Sequence, residues 1–287
     1  MNRERVANNL YIFQSDVYAQ VTSGVVAGPD MAVVIDTLAL PEESRAIRDF
    51  VENDLQLPIR YLINTHYHAD HAWGNIFFPG AIVIGHELCR KFLLEKGVPS
   101  LKEEQKHNPV FRKTKILLPH ITFEDGNLSI KIGKKTLSVF PLPGHTADSI
   151  AVLVKEDRVL YSGDAIMPIP YLVDGNIDDM ITSLKSVAKM GLENIVQGHG
   201  DIILRGEIER TVKENLKYLS EIRKVVRKAG RRKYPLDLLE TVTVEDCGKS
   251  RVLIGGLAEE LHQSNLAALY KHFYGKSPEG SEEYFEE

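Results

Sequence analysis

Apolar positions along this chain change their period several times, and each change marks an element. "MAVVID" (31–36) is a short β-branched block ending in an acid, and "PEESRAIRDFVENDL" (41–55) then spaces its apolar residues three and four apart behind a proline. That order predicts a strand followed by a helix. "IRYLINT" (59–65) reads as a second strand, "HAWGNIFF" as a short helix, "AIVIG" (81–85) as a third strand and "HELCRKFLLEK" as a third helix. Strands alternating with helices imply a largely parallel sheet with covered faces in this half. Between about 97 and 120 the pattern fades into a surface excursion placed to roof a cleft. Alternation returns in "NLSIKIGKKTLSVFPLP", a hairpin turning at Gly-Lys-Lys, and in "SIAVLVKED" and "RVLYSGD". A helix over 178–190 and a strand over 194–200 follow. Beyond 205 two amphipathic helices carry Ile208, Val212, Leu216, Leu219 and Ile222, then Leu257, Leu261, Leu266 and Leu269, as apolar stripes.

Composition narrows the class without naming it. A chain of 287 residues that is 43% hydrophobic fills a real core, and 40 acidic against 35 basic residues leave a mildly anionic field. Nucleic acid and anionic membrane are therefore not expected partners. No apolar stretch reaches the length of a membrane span, and "MNRERVANNLYIF" carries no signal-peptide core, so a soluble, cytoplasmic protein is expected. The two cysteines, Cys89 and Cys247, show no disulfide framework and no CxxC, and Cys89, on an amphipathic helix, reads as a buried inert thiol. "EDCGKS" looks like the tail of a phosphate loop, but Thr243 stands where that loop needs glycine. The basic run 222–233 reads as a solvated helix end, and residues 276–287 as a disordered acidic tail.

The chemistry gathers where strands end. "THYHADH" packs His66, His68, Asp70 and His71 into six positions. Alternate residues of an extended segment share a face, so His66 and His68 point the same way, and Asp70 and His71 enter the same hollow from a helix start. Imidazoles crowded together want a cation. Three glycine-flanked turns supply distant partners: His145 in "PLPGHTADS", Asp164 in "LYSGDAIMP" and His199 in "IVQGHGDI". Singly these are ordinary turns, but in this order they reinforce one another. Neutral imidazoles and carboxylates suit Zn²⁺, and the same donors accept Fe or Mn. Asp36, closing its strand, is a candidate acceptor for the outer N–H of a ligand histidine. His86, His120, His262 and His272 lack ligand spacing and read as structural, and Trp73 as core or pocket wall.

The series THYHADH, PGHT, SGDA and QGHG resembles the metallo-β-lactamase superfamily, the αββα metallohydrolases, in a glyoxalase II-like or lactonase-like form with seven ligands. The resemblance implies an α/β fold, a four-layer αββα sandwich of two mixed β-sheets with helices outside. It would span residues 8–230, with a helical extension over 231–275 packing on the same domain. It implies two Zn²⁺ per chain, the first held by His66, His68 and His145, the second by Asp70, His71 and His199, with Asp164 bridging. A small-molecule ester, thioester or lactone would then be cleaved through a metal-bridging hydroxide that Asp70 orients. Tyr171, just past Asp164, is a candidate donor to the developing oxyanion. β-Lactam cleavage, phosphodiester or phosphotriester hydrolysis and mononuclear-iron persulfide dioxygenase chemistry are the alternatives. The apolar C-terminal helix offers a contact for a homodimer.

Overall fold

Strands in this protein serve two cores at once, and that division builds its layers. The computed structural model describes residues 1–275, Ser277 and Pro278; the rest of the expected acidic tail lies outside the described residues. Seven strands form the first sheet in the order β1 (Asn2–Ala7), β2 (Leu10–Gln14), β3 (Thr22–Ala27), β4 (Ala32–Ile35), β5 (Ile59–Ile63), β6 (Ile82–His86) and β7 (Ile121–Phe123). The second sheet takes β8 (Leu128–Ile132), β9 (Lys135–Pro141), β10 (Ile150–Val154), β11 (Val159–Gly163), β12 (Asn194–Gln197) and β13 (Ile203–Leu204), also in sequence order. Val33, Ile63, Ile84, Val152, Tyr161 and Val196 meet between the two sheets. Their chain neighbours Val34, Leu62 and Val83 face a second core on the outer side of the first sheet, and Ala151, Leu160 and Ile195 face a third core outside the second sheet. A two-residue period sends successive side chains to opposite faces, so a strand apolar on both faces glues two layers.

Helices close the outer faces. In chain order they are α1 (Pro41–Asp49), α2 (Ala69–Ala72), α3 (Glu87–Phe92), α4 (Val98–His107), α5 (Ile177–Val187), α6 (Arg205–Ala229), α7 (Leu236–Leu239) and α8 (Ala258–Tyr274). Ile47 of α1 packs with Phe50 and Val51 on the first sheet, while α5, α6 and α8 bury Leu184, Leu219, Ile222, Leu266 and Leu269 on the second. The expected four-layer αββα arrangement is the one observed. Among the described residues no helix is long and apolar enough to cross a membrane.

Two expectations need revision. The first sheet is parallel only from β4 to β7; β1 to β4 run antiparallel, and β1, β2 and β3 are strands that the sequence pattern did not announce. The excursion over 97–120 is not formless, since it begins with α4 and continues into a tight turn over Pro109–Lys113. Its first turn does stand over the cleft, where Gly97 and Ser100 line the opening.

Candidate metal centre

Strand C-termini deliver the site. β5 runs into His66 and His68, and His68 is the last residue before α2, which carries Asp70 and His71. Pro143 and Gly144 lead from β9 to His145, β11 ends at Gly163 before Asp164, and β12 ends two residues before His199. The structure brings all seven predicted ligands into two adjacent groups, His66 with His68, His145 and Asp164, and Asp70 with His71 and His199. Asp164 stands between them: its Oδ2 lies 3.4 Å from Nε2 of both His145 and His199, and its Oδ1 lies 3.2 Å from His71 Nε2. Every ligand is buried except His68 and Asp70, which are half-buried at the cleft floor.

Each imidazole is turned by an acceptor behind it. His66 Nδ1 donates to the Thr65 hydroxyl at 3.1 Å, His71 Nδ1 to Asp36 at 2.9 Å, and His199 Nδ1 to the Ala19 carbonyl at 2.8 Å. His145 Nδ1 donates to the Tyr171 carbonyl at 2.9 Å, and His68 Nε2 to Asp174 at 3.2 Å. With the outer nitrogens donating, the inner nitrogens of the first group present lone pairs to one another, His68 Nδ1 lying 3.0 Å from His66 Nε2 and 2.9 Å from His145 Nε2. Lone pairs converging so closely fit a cation, and acceptors behind the rings are what metal-ligating histidines require.

Charge points the same way. Burial holds His66 well below its ordinary pKa, reinforced by His71, and burial takes His145 down to about 4. Burial alone would lower His71 and His199 as well, but the Asp164 and Asp70 carboxylates outweigh it, raising His71 and taking His199 to about 10. Asp70, whose burial is outweighed by His71 and His199, is lowered to about 2. Asp164 is likewise held below the carboxylate range by His199, His71 and His145 against the cost of its burial. A buried carboxylate and a half-buried one beside it thus demand positive charge. His71 Nε2 lies 3.2 Å from Asp164 Oδ1 and 3.8 Å from Asp70 Oδ2, and neither His71 Nε2 nor Asp164 Oδ1 makes a well-aligned hydrogen bond among the described residues. The donor set fits divalent ions.

These groups floor a cleft of about 460 Å³. Tyr18, Tyr67, Trp73, Met167, Ile254 and Leu261 give it apolar walls, and Lys96 stands at its rim. Tyr171 lines it with its ring centroid 5.9 Å from that of His145, and its hydroxyl is close to Ser264. The hydrogen bond between Tyr171 and His145 is made by the Tyr171 backbone carbonyl. Asp36 takes the place expected of it, accepting from His71, from the Thr65 N–H at 2.7 Å and from the Thr65 hydroxyl at 2.7 Å. It does so from a left-handed backbone, φ 57°, and the loop holding Ala19 is similarly bent, with φ 45° at Ala19 and 53° at Gln20. Such conformations persist where surrounding structure over-determines them, and both lie against ligand histidines. Sequence reasoning missed Asp174, Thr65, Ala19 and Lys96. His86, His120 and His262 bond backbone or a core tyrosine away from the site, as their spacing suggested.

The sequence model of the metallo-beta-lactamase superfamily matches residues 18–231. The chain belongs to this superfamily. Among curated superfamily relatives, a Caenorhabditis elegans protein described as a beta-lactamase-like protein 2 homolog is 25% identical over 171 residues, 59% of this chain and 52% of its own. The match thus spans about half the length of that relative. Acyl-coenzyme A thioesterase MBLAC2 of Bos taurus is 28% identical over 199 residues, 61% of this chain and 71% of its own. Among solved structures, the metallo-beta-lactamase from Pontibacter korlensis superposes with a TM-score of 0.62 at 19% identity, covering 75% of this chain and 98% of that one. The sec-alkylsulfatase Pisa1 from Pseudomonas sp. reaches 0.74 at 14% identity over 95% of this chain and 50% of its own. At such identities the likeness is one of fold.

Proposed function

We propose that this superfamily member is a metal-dependent hydrolase that holds two zinc ions and cleaves an ester, thioester or lactone-type acyl bond of a small molecule. The observation that carries the reading is the convergence of seven imidazole and carboxylate donors with an acceptor behind each ring. His66, His68 and His145 would hold one ion, Asp70, His71 and His199 the other, and Asp164, within 3.4 Å of donors from both groups, would serve both. Ions held there supply Lewis acidity to a substrate oxygen and lower the pKa of water toward neutrality. Asp70 stays anionic at neutral pH and opens onto the cleft, so it offers a fixed acceptor that orients a nucleophilic water. The apolar walls suit the acyl part of a substrate, while Lys96 at the rim is already paired with Asp174 at 3.2 Å. A thioesterase among the relatives supports the acyl reading over a phosphoryl one.

The test is metal analysis followed by a panel of ester, thioester, lactone, phosphodiester and cephalosporin substrates on the zinc-loaded chain. Two zinc ions per chain and turnover of an acyl substrate are expected, with Asp164→Ala weakening ion binding and cutting the rate by orders of magnitude. A single iron with oxygen uptake on glutathione persulfide, or acyl cleavage undiminished in Asp164→Ala, would sink it.

A further inference from the structure

Behind the cleft, the helical layer reaches the metal ligands through one buried amide. Asn265 of α8 has no solvent exposure and grips the backbone on both sides of Tyr171. Its Nδ2 donates to the Pro170 carbonyl at 2.7 Å, and its Oδ1 accepts from the Leu172 N–H at 2.7 Å. Residue 171 lies between these anchors, and its carbonyl is the acceptor that orients His145. Two residues beyond Leu172, Asp174 orients His68.

The amide has one way round only. A carbonyl on one side and an N–H on the other fix which end of Asn265 faces which, and the remaining contacts agree. His262 Nε2 donates to the Val242 carbonyl at 3.1 Å, which leaves its Nδ1 to accept from the Tyr218 hydroxyl at 3.0 Å. Tyr218 oxygen in turn accepts the second N–H of Asn265 at 3.0 Å. Every donor in this Asn265–Tyr218–His262 network has a single acceptor and none is left over, which makes a buried polar network rigid. A second amide, Asn215 on α6, holds the Met167 carbonyl of the same loop at 3.0 Å. Asn265 and His262 lie beyond the stretch that the superfamily model matches, so the clamp is supplied by the C-terminal extension of this chain.

We propose that Asn265 is a positioning residue for the metal centre: by fixing the backbone around Tyr171 it aims His145 and so sets the ion affinity of the His66, His68 and His145 group. The proposal rests on the metal-hydrolase reading for its ion, but the aim of His145 is a property of the chain itself. Removing a group that orients a ligand histidine typically weakens metal binding by ~10–100-fold. Asn265→Ala, which loosens the Tyr171 carbonyl without removing it, is expected to weaken one of the two zinc ions toward the lower end of that range in chelator competition and leave the other near its parental affinity. In the metal-free chain it is also expected to remove the slowly exchanging His145 Nδ1–H signal from imidazole-tuned NMR spectra.

Leu269→Ala, a cavity in the same helix, controls for stability: it should lower the thermal midpoint and leave both readouts unmoved. Should Asn265→Ala fail to fold, Asn265→Asp keeps an acceptor for the Leu172 N–H while losing the donor to Pro170, and is expected to fall between parent and alanine. An Asn265 variant that folds with parental zinc affinities and an intact Nδ1–H signal overturns the proposal, as does Leu269→Ala weakening zinc in step with its loss of stability. A parent chain that binds no divalent ion defeats the hydrolase reading, while the Nδ1–H comparison still decides whether Asn265 aims His145.

Discussion

Gly198 shows how little room the centre leaves. A Cβ built there would lie 1.8 Å from Asp164 Oδ1 and 2.8 Å from the Asp164 nitrogen, so even alanine must push the carboxylate out of place. Gly198→Ala is therefore expected to lower zinc stoichiometry or affinity by at least tenfold while the chain still folds, read by chelator competition beside circular dichroism. At this scale the sequence was legible for the seven imidazole and carboxylate donors that converge and illegible for what stands behind them. His66, His68, Asp70, His71, His145, Asp164 and His199 announce themselves because imidazole and carboxylate at strand ends have few other uses. The acceptors at Ala19 and Tyr171 are backbone carbonyls, which every residue type owns, and Asp174 in "VDGN" looks like any turn aspartate. Tyr171 drew notice for its hydroxyl, whereas its main-chain oxygen is the atom in contact with His145.

Element by element, the pattern was readable wherever it was periodic. Helix α1 and its continuation through Phe50–Asp54 end one residue short of the expected 55, and the apolar stripe of α6 faces inward as its spacing required; of the second stripe Leu266 and Leu269 are buried, whereas Leu261 is half-buried and Leu257, just before α8, is exposed. β1 carries no apolar signal because it is a largely exposed edge, and β3 carries no alternation because both its faces are buried. The segment between α7 and α8 offered no pattern either, and it hides Lys249, only 7% exposed, whose Nζ donates to Asn215 Oδ1 at 2.5 Å. Burial takes this lysine down to about 8, with the Glu214 charge opposing. Since its unfolded pKa is near 10.4, the unfolded chain binds more protons between those values, and stability contributed at this position rises with pH across that window. The cost is fully present below pH 8. Urea unfolding of parent and Lys249→Met at pH 7 and at pH 10.5 is expected to show the difference between them shifting in the parent's favour by up to roughly 3 kcal/mol at the higher pH.

At the scale of the whole molecule, the three largest apolar cores among the described residues are separated by the two sheets, and the third of them does not end where the superfamily match ends. Leu239, Val244, Ile254, Ala258, Leu266, Leu269 and Tyr270 are all buried in it, alongside Leu160 and Ile195 of the second sheet. A chain cut after residue 231 would expose the partners of all seven. It is expected to be aggregated or to bind a hydrophobic dye, with no cooperative melting transition, where the full chain melts as one unit. The four layers themselves were legible through resemblance more than through pattern. Alternation tells that a strand has two apolar faces, but which face meets the other sheet depends on contacts far apart in sequence.

One such contact reaches beyond the folded state. The Ala19 carbonyl that turns His199 lies 180 residues before it, and Thr22 bonds the Gln197 carbonyl across 175. During synthesis, a chain that has emerged as far as residue 160 already owns His66, His68, Asp70, His71 and His145, yet lacks Asp164 and His199. Closing so long a loop is slow. In stopped-flow refolding, zinc uptake with parental affinity is accordingly expected to lag behind the circular dichroism signal of the sheets. For the span of its own translation this protein presents five converging donors without their two closing partners, so on the proposed two-ion reading an ion taken up then would be held more loosely than in the finished fold.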